Sequence, residues 1–294
     1  MKILIVGGAG FIGSFLASQL AKRHSLVILD RHKPQDKRFP FLVGDYGDNK
    51  ILKRALDKIE VVYHLAWSST PASRLSWSEE VKQNVSPSRR LIDAAKNSAV
   101  KQFVFLSSAG TVYGKAKPPF KERQKPKPIN NYGRAKLAVE QYLKGRAEKK
   151  FKATALRATN AIGLGQKLRQ GQGVVPAMIT AAKQNKTFRL YGESRKDYIA
   201  VEDLVAALIK AREQKTIFEI FNVGSGEVLS ILDIICLLEK VTQQPLRVKK
   251  IPPVLYDNPY VQVDIAKIKK ALGWRSRFSV KKSLSQLFQK ELRS

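Results

Sequence analysis

Tyr132 and Lys136 stand four residues apart in NNYGRAKLAVEQYL, at the start of a helical pattern. That spacing puts both side chains on one helix face. A tyrosine hydroxyl titrates near 10, too high for a base at neutral pH. An ammonium one turn away, joined by a cationic cofactor, would favour the tyrosinate and make it a general base. Tyr-x-x-x-Lys is common by chance, so position matters: Tyr132 lies 24 residues after Ser108 in LSSAGTVYG. There, three hydroxyls, Ser107, Ser108 and Thr111, follow the apolar run VKQFVF. Small hydroxyl residues at a strand end are mostly turn formers. Beside a tyrosine–lysine pair, one of them can instead hold a reacting oxygen.

A second group opens the chain. In MKILIVGGAGFIGSF, Gly8, Gly10 and Gly13 fit G-x-G-x-x-G, and Gly7, Gly10 and Gly13 fit G-x-x-G-x-x-G. A pyrophosphate needs close backbone approach and a helix N-terminus, whose free N–H groups and dipole favour negative charge. The turn lies between the apolar run ILIV and the helical pattern SFLASQLAKR, so Gly7, Gly10, Phe11, Ile12 and Gly13 are cofactor-binding candidates. Asp30 ends the next strand, SLVILD, 17 residues after Gly13. A carboxylate there accepts hydrogen bonds from the adenosine ribose. It repels a 2′-phosphate and so favours NAD over NADP; Arg31, His32 and Lys33 pull the other way.

These residues need a frame, and the chain alternates strands with helices. Strands are expected at 3–6, 25–30, 41–45, 61–66, 100–107 and 152–159, with helical patterns between them. The expectation is an α/β fold: a doubly wound parallel sheet (Rossmann) over 1–158 and a smaller C-terminal substrate domain over 159–294. Segments from about 197–225 should return to the first domain.

Composition narrows the function classes. At 294 residues with 44% apolar content, the chain can bury a substantial core. No apolar stretch reaches a membrane span, and the glycines and the Lys22–Arg23 pair break the signal-peptide pattern at the start. A cytoplasmic protein is expected. One cysteine, Cys236, sits in an amphipathic pattern that suggests a buried thiol, and three scattered histidines suggest no metal site. The net charge of +30 is spread over many segments, without a nucleic-acid-binding motif. Nucleic acid is expected to bind only non-specifically and salt-dependently.

Taken together, the motifs resemble the extended short-chain dehydrogenase/reductase family, specifically its NAD-dependent nucleotide-sugar epimerases and dehydratases. They are GGAGFIG, Asp30, GDYGD at 44–48, YHLA at 63–66, QNV at 83–85, LSSAGTVYG, NYGRAK, LRATNAIGLGQ at 156–166, RKDYIAVEDL at 195–204, FNVGSGE at 221–227 and ALGW at 271–274. The resemblance implies Tyr132 as catalytic acid/base and Lys136 as ligand of the nicotinamide ribose. It places Asp45 and Tyr46 beside the adenine and Leu65 and Ala66 along the cofactor. Ser107 belongs to the cofactor side and Ser108, Asn160 and Lys196 to a nucleotide-sugar substrate. It also implies transient oxidation of a sugar hydroxyl with the hydride passing to bound NAD, and a homodimer through residues 81–97 and 132–149.

Three departures from the family pattern carry information. Ala109 stands where many relatives have serine or threonine, leaving Ser108, then Thr111, to substitute. Gly110 and Thr111 replace the acidic pair of 4,6-dehydratases, which argues against that chemistry. Lys196, preceded by Arg195, replaces one phosphate-clamping arginine, and Val254, ahead of Asp257 and Pro259, replaces another; neither gives a bidentate clamp. The leading expectation is an NAD-dependent nucleotide-sugar epimerase. The alternatives are an NAD(P)-dependent reductase or dehydrogenase of a keto sugar and a non-catalytic cofactor- or polyanion-binding protein.

Overall fold

The computed structural model describes residues 1–34, 36, 38–166, 173–253 and 258–293. Its first half runs β1 (Lys2–Val6), α1 (Phe11–Leu20), β2 (Ser25–Asp30), β3 (Phe41–Val43), α2 (Asn49–Ala55), β4 (Val61–His64) and α3 (Trp77–Glu80). A π-helical stretch, Val81–Val85, leads from α3 into α4 (Ser86–Lys96). There follow β5 (Gln102–Ser108), α5 (Ala109–Tyr113), α6 (Asn131–Arg146), β6 (Lys152–Ala158), β7 (Asn160–Ile162), α7 (Val174–Lys183), β8 (Phe188–Tyr191) and β9 (Arg195–Ala200). The chain ends with α8 (Val201–Ala211), β10 (Phe218–Val223), β11 (Val228–Ser230), α9 (Ile231–Thr242), β12 (Val248–Ile251), β13 (Tyr260–Val261), α10 (Ala266–Leu272) and α11 (Val280–Arg293).

Seven strands form one sheet in the order β10-β6-β5-β4-β1-β2-β3. Every neighbouring pair is parallel. This is the expected doubly wound arrangement. Its central strands are apolar on both faces because both are covered. In β1, Ile3 and Ile5 enter one core with α1 and α8, while Leu4 and Val6 enter the other with α2, α4 and α6. A third core gathers α7, α9 and α11 around β8 and β9. There β9 pairs with β11, β13 and β7, and β12 pairs with β8. No helix among the described residues is long and apolar enough to cross a membrane.

Residues 109–113 form a single helical turn, in which Ala109 and Tyr113 bury their side chains against Phe120, Val261 and Val263. One local expectation is corrected. Cys236 is exposed, on the outward side of α9, while Ile234, Ile235 and Leu238 face the core.

Candidate functional site

Because the sheet is parallel, the turns after β1, β4 and β5 open on the same edge, the usual place for a ligand in such sheets. The turn after β1 is built for close approach. Gly7 has φ +89°, and a Cβ there would lie 2.6 Å from the Ala66 nitrogen. A Cβ on Gly13 would lie 2.2 Å from the Gly7 carbonyl oxygen, so α1 packs directly on the turn. Gly10 caps α1 without a side-chain hydrogen bond. Phe11, Ile12 and Gly13 then form its first turn, where N–H groups have no intrahelical acceptor. Leu65 and Ala66 run alongside, their amides donating to the Val6 carbonyl at 2.9 and 3.0 Å.

Asp30 braces this turn. Its Oδ2 accepts from the Ala9 amide and its Oδ1 from the His32 amide, both at 3.0 Å. Arg31 is held by Asp45, with Nη2 2.7 Å from Oδ2, and the Gly47 amide donates to Asp45 Oδ1 at 2.7 Å. Burial works to raise the Asp45 carboxyl, but the Gly47 amide and Arg31 prevail and hold it below its usual range. Arg31 is therefore charge-paired, which agrees with the preference for NAD. A cavity of about 860 Å³ opens beside this pair. The Tyr46 side chain is buried in the core, its ring 5.1 Å from that of His64. Only its backbone remains to meet a ligand.

The tyrosine and lysine lie on α6 as the spacing requires. Asn130 caps that helix by accepting from the Gly133 amide at 2.8 Å. Gly133 meets the Thr111 backbone so closely that a Cβ would sit 2.4 Å from its carbonyl oxygen. This contact sets Tyr132 beside α5. Lys136 is buried, and its Nζ donates to the Leu106 carbonyl at 2.8 Å. The ammonium also lies 3.8 Å from the centre of the Trp67 ring. Burial lowers the Lys136 pKa to about 7, with Glu80 and Glu140 opposing that shift. Tyr132 moves opposite to the expected direction: burial first, then the Glu80 carboxylate, push its hydroxyl above 10. The unliganded pair is thus not a preformed base. Additional positive charge at the site is needed to release the tyrosine proton.

The three hydroxyls separate by environment. Ser107 is spent: its Oγ donates to Glu140, which forms a buried ion pair with Arg157, Nη2 to Oε2 2.7 Å. Ser108 ends β5 half-buried, and its hydroxyl has no partner among the described residues. The Thr111 hydroxyl is buried and also unpartnered. A buried orphan hydroxyl costs about 1–3 kcal/mol unless a ligand satisfies it. Ser108 and Thr111 are therefore the two hydroxyls free to meet a substrate, and Ala109, fully buried, is not. Asn160 is exposed at the start of β7, opposite Tyr198 of β9. Lys196 lies on β9 with Arg195. A second cavity, about 460 Å³, is lined by Gly114, Lys115, Tyr191, Ser194, Pro253 and Asn258 among others. Val254 and Asp257 lie outside the described residues.

Sequence reasoning missed Trp67, Glu80, Glu140 and Arg157. Glu140 was within reach, since it continues the four-residue spacing from Tyr132 and Lys136. The others come from distant segments.

Comparison with known proteins places this geometry. The model of the NAD dependent epimerase/dehydratase family matches residues 3–224. The dTDP-4-dehydro-6-deoxyglucose reductase of Escherichia coli is 31% identical over 69% of this chain and 70% of its own. The UDP-glucose 4-epimerase of Thermotoga maritima, solved with UDP-glucose, superposes with a TM-score of 0.91 at 29% identity, over 99% of this chain and 100% of that one. The UDP-glucuronic acid 4-epimerase of Bacillus cereus, in complex with UDP-glucuronic acid and NAD, gives 0.89 at 25% identity, over 99% of both chains.

Proposed function

The chain belongs to the NAD-dependent epimerase/dehydratase family, and from that premise we propose that it is an NAD-dependent nucleotide-sugar epimerase working by transient oxidation of a sugar hydroxyl. The observation that carries this reading is the site itself: Tyr132 and Lys136 on α6, tied to the end of β5 through Leu106, with Ser108 and Thr111 beside them. The glycine turn and Asp30 lie on the same sheet edge.

The residues fit the cofactor. The glycine turn leaves no room for a Cβ where a pyrophosphate backbone approach is needed, Asp30 would accept from the adenosine ribose, and Asp45 would lie by the adenine. When bound, NAD would supply a hydride acceptor and the positive charge that the site lacks. Tyr132 would then lose its proton more readily and serve as the base for the sugar hydroxyl, returning the proton in the reverse half-reaction. Ser108 or Thr111 would donate to the reacting oxygen. Lys136 would leave the Leu106 carbonyl for the nicotinamide ribose. Asn160 and Lys196 would face the substrate diphosphate.

The division of labour follows the fold. Residues 1–158, with the returning segment at about 197–225, would hold the cofactor, and the remainder of 159–294 the substrate. We further propose a cytoplasmic enzyme of carbohydrate biosynthesis. It would be a homodimer through 81–97 and 132–149, where α4 and α6 are already locked together by Tyr142 donating to Asp93 at 2.6 Å. The basic surface would bind polyanions only non-specifically. A second reading, a keto-sugar reductase, is favoured by the similarity to the Escherichia coli reductase.

One assay separates these. The purified protein is denatured and the supernatant assayed for nicotinamide nucleotides. Bound NAD near one per chain, with interconversion of a UDP-sugar pair and no net NADH, supports the epimerase. An empty protein that consumes NAD(P)H stoichiometrically supports the reductase.

A further inference from the structure

A buried polar chain backs the tyrosine–lysine pair. It starts at Glu80, the last residue of α3, which is 1% exposed. The π-helical stretch after it turns Glu80 and Asn84 inward together, and Asn84 Nδ2 donates to Glu80 Oε2 at 2.8 Å. Irregular turns of this kind often serve functional sites. Ser69 donates from Oγ to Glu80 Oε1 at 2.6 Å. The same Ser69 Oγ accepts from the Trp67 indole Nε1–H at 3.1 Å and from Asn84 Nδ2 at 3.2 Å. Trp67 thus has its polar edge fixed to a buried carboxylate. Its ring face carries the Lys136 ammonium at 3.8 Å, and the Tyr132 ring meets it at near right angles, centroids 6.1 Å apart.

The two carboxylates near the pair are not equivalent. Glu140 is neutralised by Arg157. Glu80 has no ion-pair partner within 4.0 Å among the described residues. Its field outweighs that of Glu140 at Lys136 and also reaches Tyr132. The remaining titratable neighbour, His64 on β4, is fully buried and stays neutral above about pH 3.

We propose that Trp67 is a positioning residue, anchored through Ser69 to Glu80, that holds Lys136 by its ring face and Tyr132 by its edge before any ligand binds. Glu80 is the counter-charge that raises the proton affinity of both the lysine and the tyrosine. The inference deepens the epimerase reading and rests on it for its purpose, though its test does not use turnover.

The test reads Trp67 fluorescence in the unliganded protein, taken as the difference between wild type and Trp67→Phe, since the chain has three tryptophans. A cation on the indole face shifts its emission, so emission against pH reports the charge on Lys136. A single transition near pH 7 is expected, absent in Lys136→Met. Glu80→Gln should move it down by about one pH unit, the coupling expected of a charge several ångströms away in a buried site. Ser69→Ala, which cuts the anchor but keeps the charge, should lower the emission anisotropy of Trp67 and move the transition less. It also decides the anchoring if Glu80→Gln does not fold. An unmoved midpoint in Glu80→Gln, a transition surviving Lys136→Met, or unchanged anisotropy in Ser69→Ala overturns the proposal. Because no cofactor or sugar is present, failure of the epimerase assay leaves this result standing, and the reverse also holds.

Discussion

Replacing Lys136 with methionine should cost activity and change how stability responds to pH. The ammonium is taken out of water almost completely, with the side chain 4% exposed, and its pKa falls from 10.5 to about 7. The sign follows from proton counting. Between pH 7 and 10.5 the unfolded chain holds the lysine proton and the folded chain does not. Wild-type stability must therefore rise with pH across that window. A drop of about 3.5 pH units at ~1.4 kcal/mol each gives about 5 kcal/mol over the whole range. Between pH 7 and pH 9 about 2 kcal/mol should appear. The Leu106 hydrogen bond and the Trp67 contact partly compensate the buried charge, but they add mainly an offset. The difference between wild type and Lys136→Met is the quantity to follow. Urea unfolding at pH 7, 8 and 9, with matched ionic strength, gives both curves. Wild type should gain about 2 kcal/mol on the variant from pH 7 to pH 9, and the variant should lose turnover by two orders of magnitude or more at every pH, in line with the loss of a group that acts on an acid/base. Parallel stability curves would show that Lys136 titrates as in water and would refute the burial argument.

Other expectations concern single residues. Tyr132→Phe should reduce turnover by about 10²–10⁴ while leaving NAD affinity within a few-fold, measured by steady-state kinetics and calorimetry; comparable losses in both would remove the tyrosine from its acid/base role. Glu140→Gln leaves the Arg157 guanidinium buried without its counter-charge, so chemical denaturation should show a loss of about 3–5 kcal/mol. His64 is buried, and its pKa is depressed from 6.5 to about 3. The unfolded chain alone takes up a proton below pH 6.5, so wild type should lose about 1.4 kcal/mol per pH unit from 6.5 downward, a slope that His64→Gln should flatten. Asp30→Ala should weaken NAD binding at least tenfold in a titration, because the glycine turn loses its brace at the Ala9 amide as well as the ribose acceptor.

Much of this was written in local patterns. Periodicity and glycine punctuation are properties of neighbouring residues, so the alternating strands and helices, the turn at Gly7–Gly13 and the Tyr132–Lys136 face were legible from the chain alone. The alternation of strands with helices called for a parallel sheet, and the helices on both faces keep its central strands dry. What the chain could not show was which polar groups meet. Ser107, Ser108 and Thr111 look alike in sequence, yet Glu140 on a later helix occupies the first, while the second and third stay free. Tyr46 reads as an adenine neighbour, and only the fold shows that the core takes its ring. Lys136 reads as the group that lowers the tyrosine pKa; burial and Glu80, contributed by a segment more than fifty residues upstream, reverse that direction in the unliganded protein. Charge states depend on desolvation and on the sum of nearby fields, and both arise only when distant segments pack.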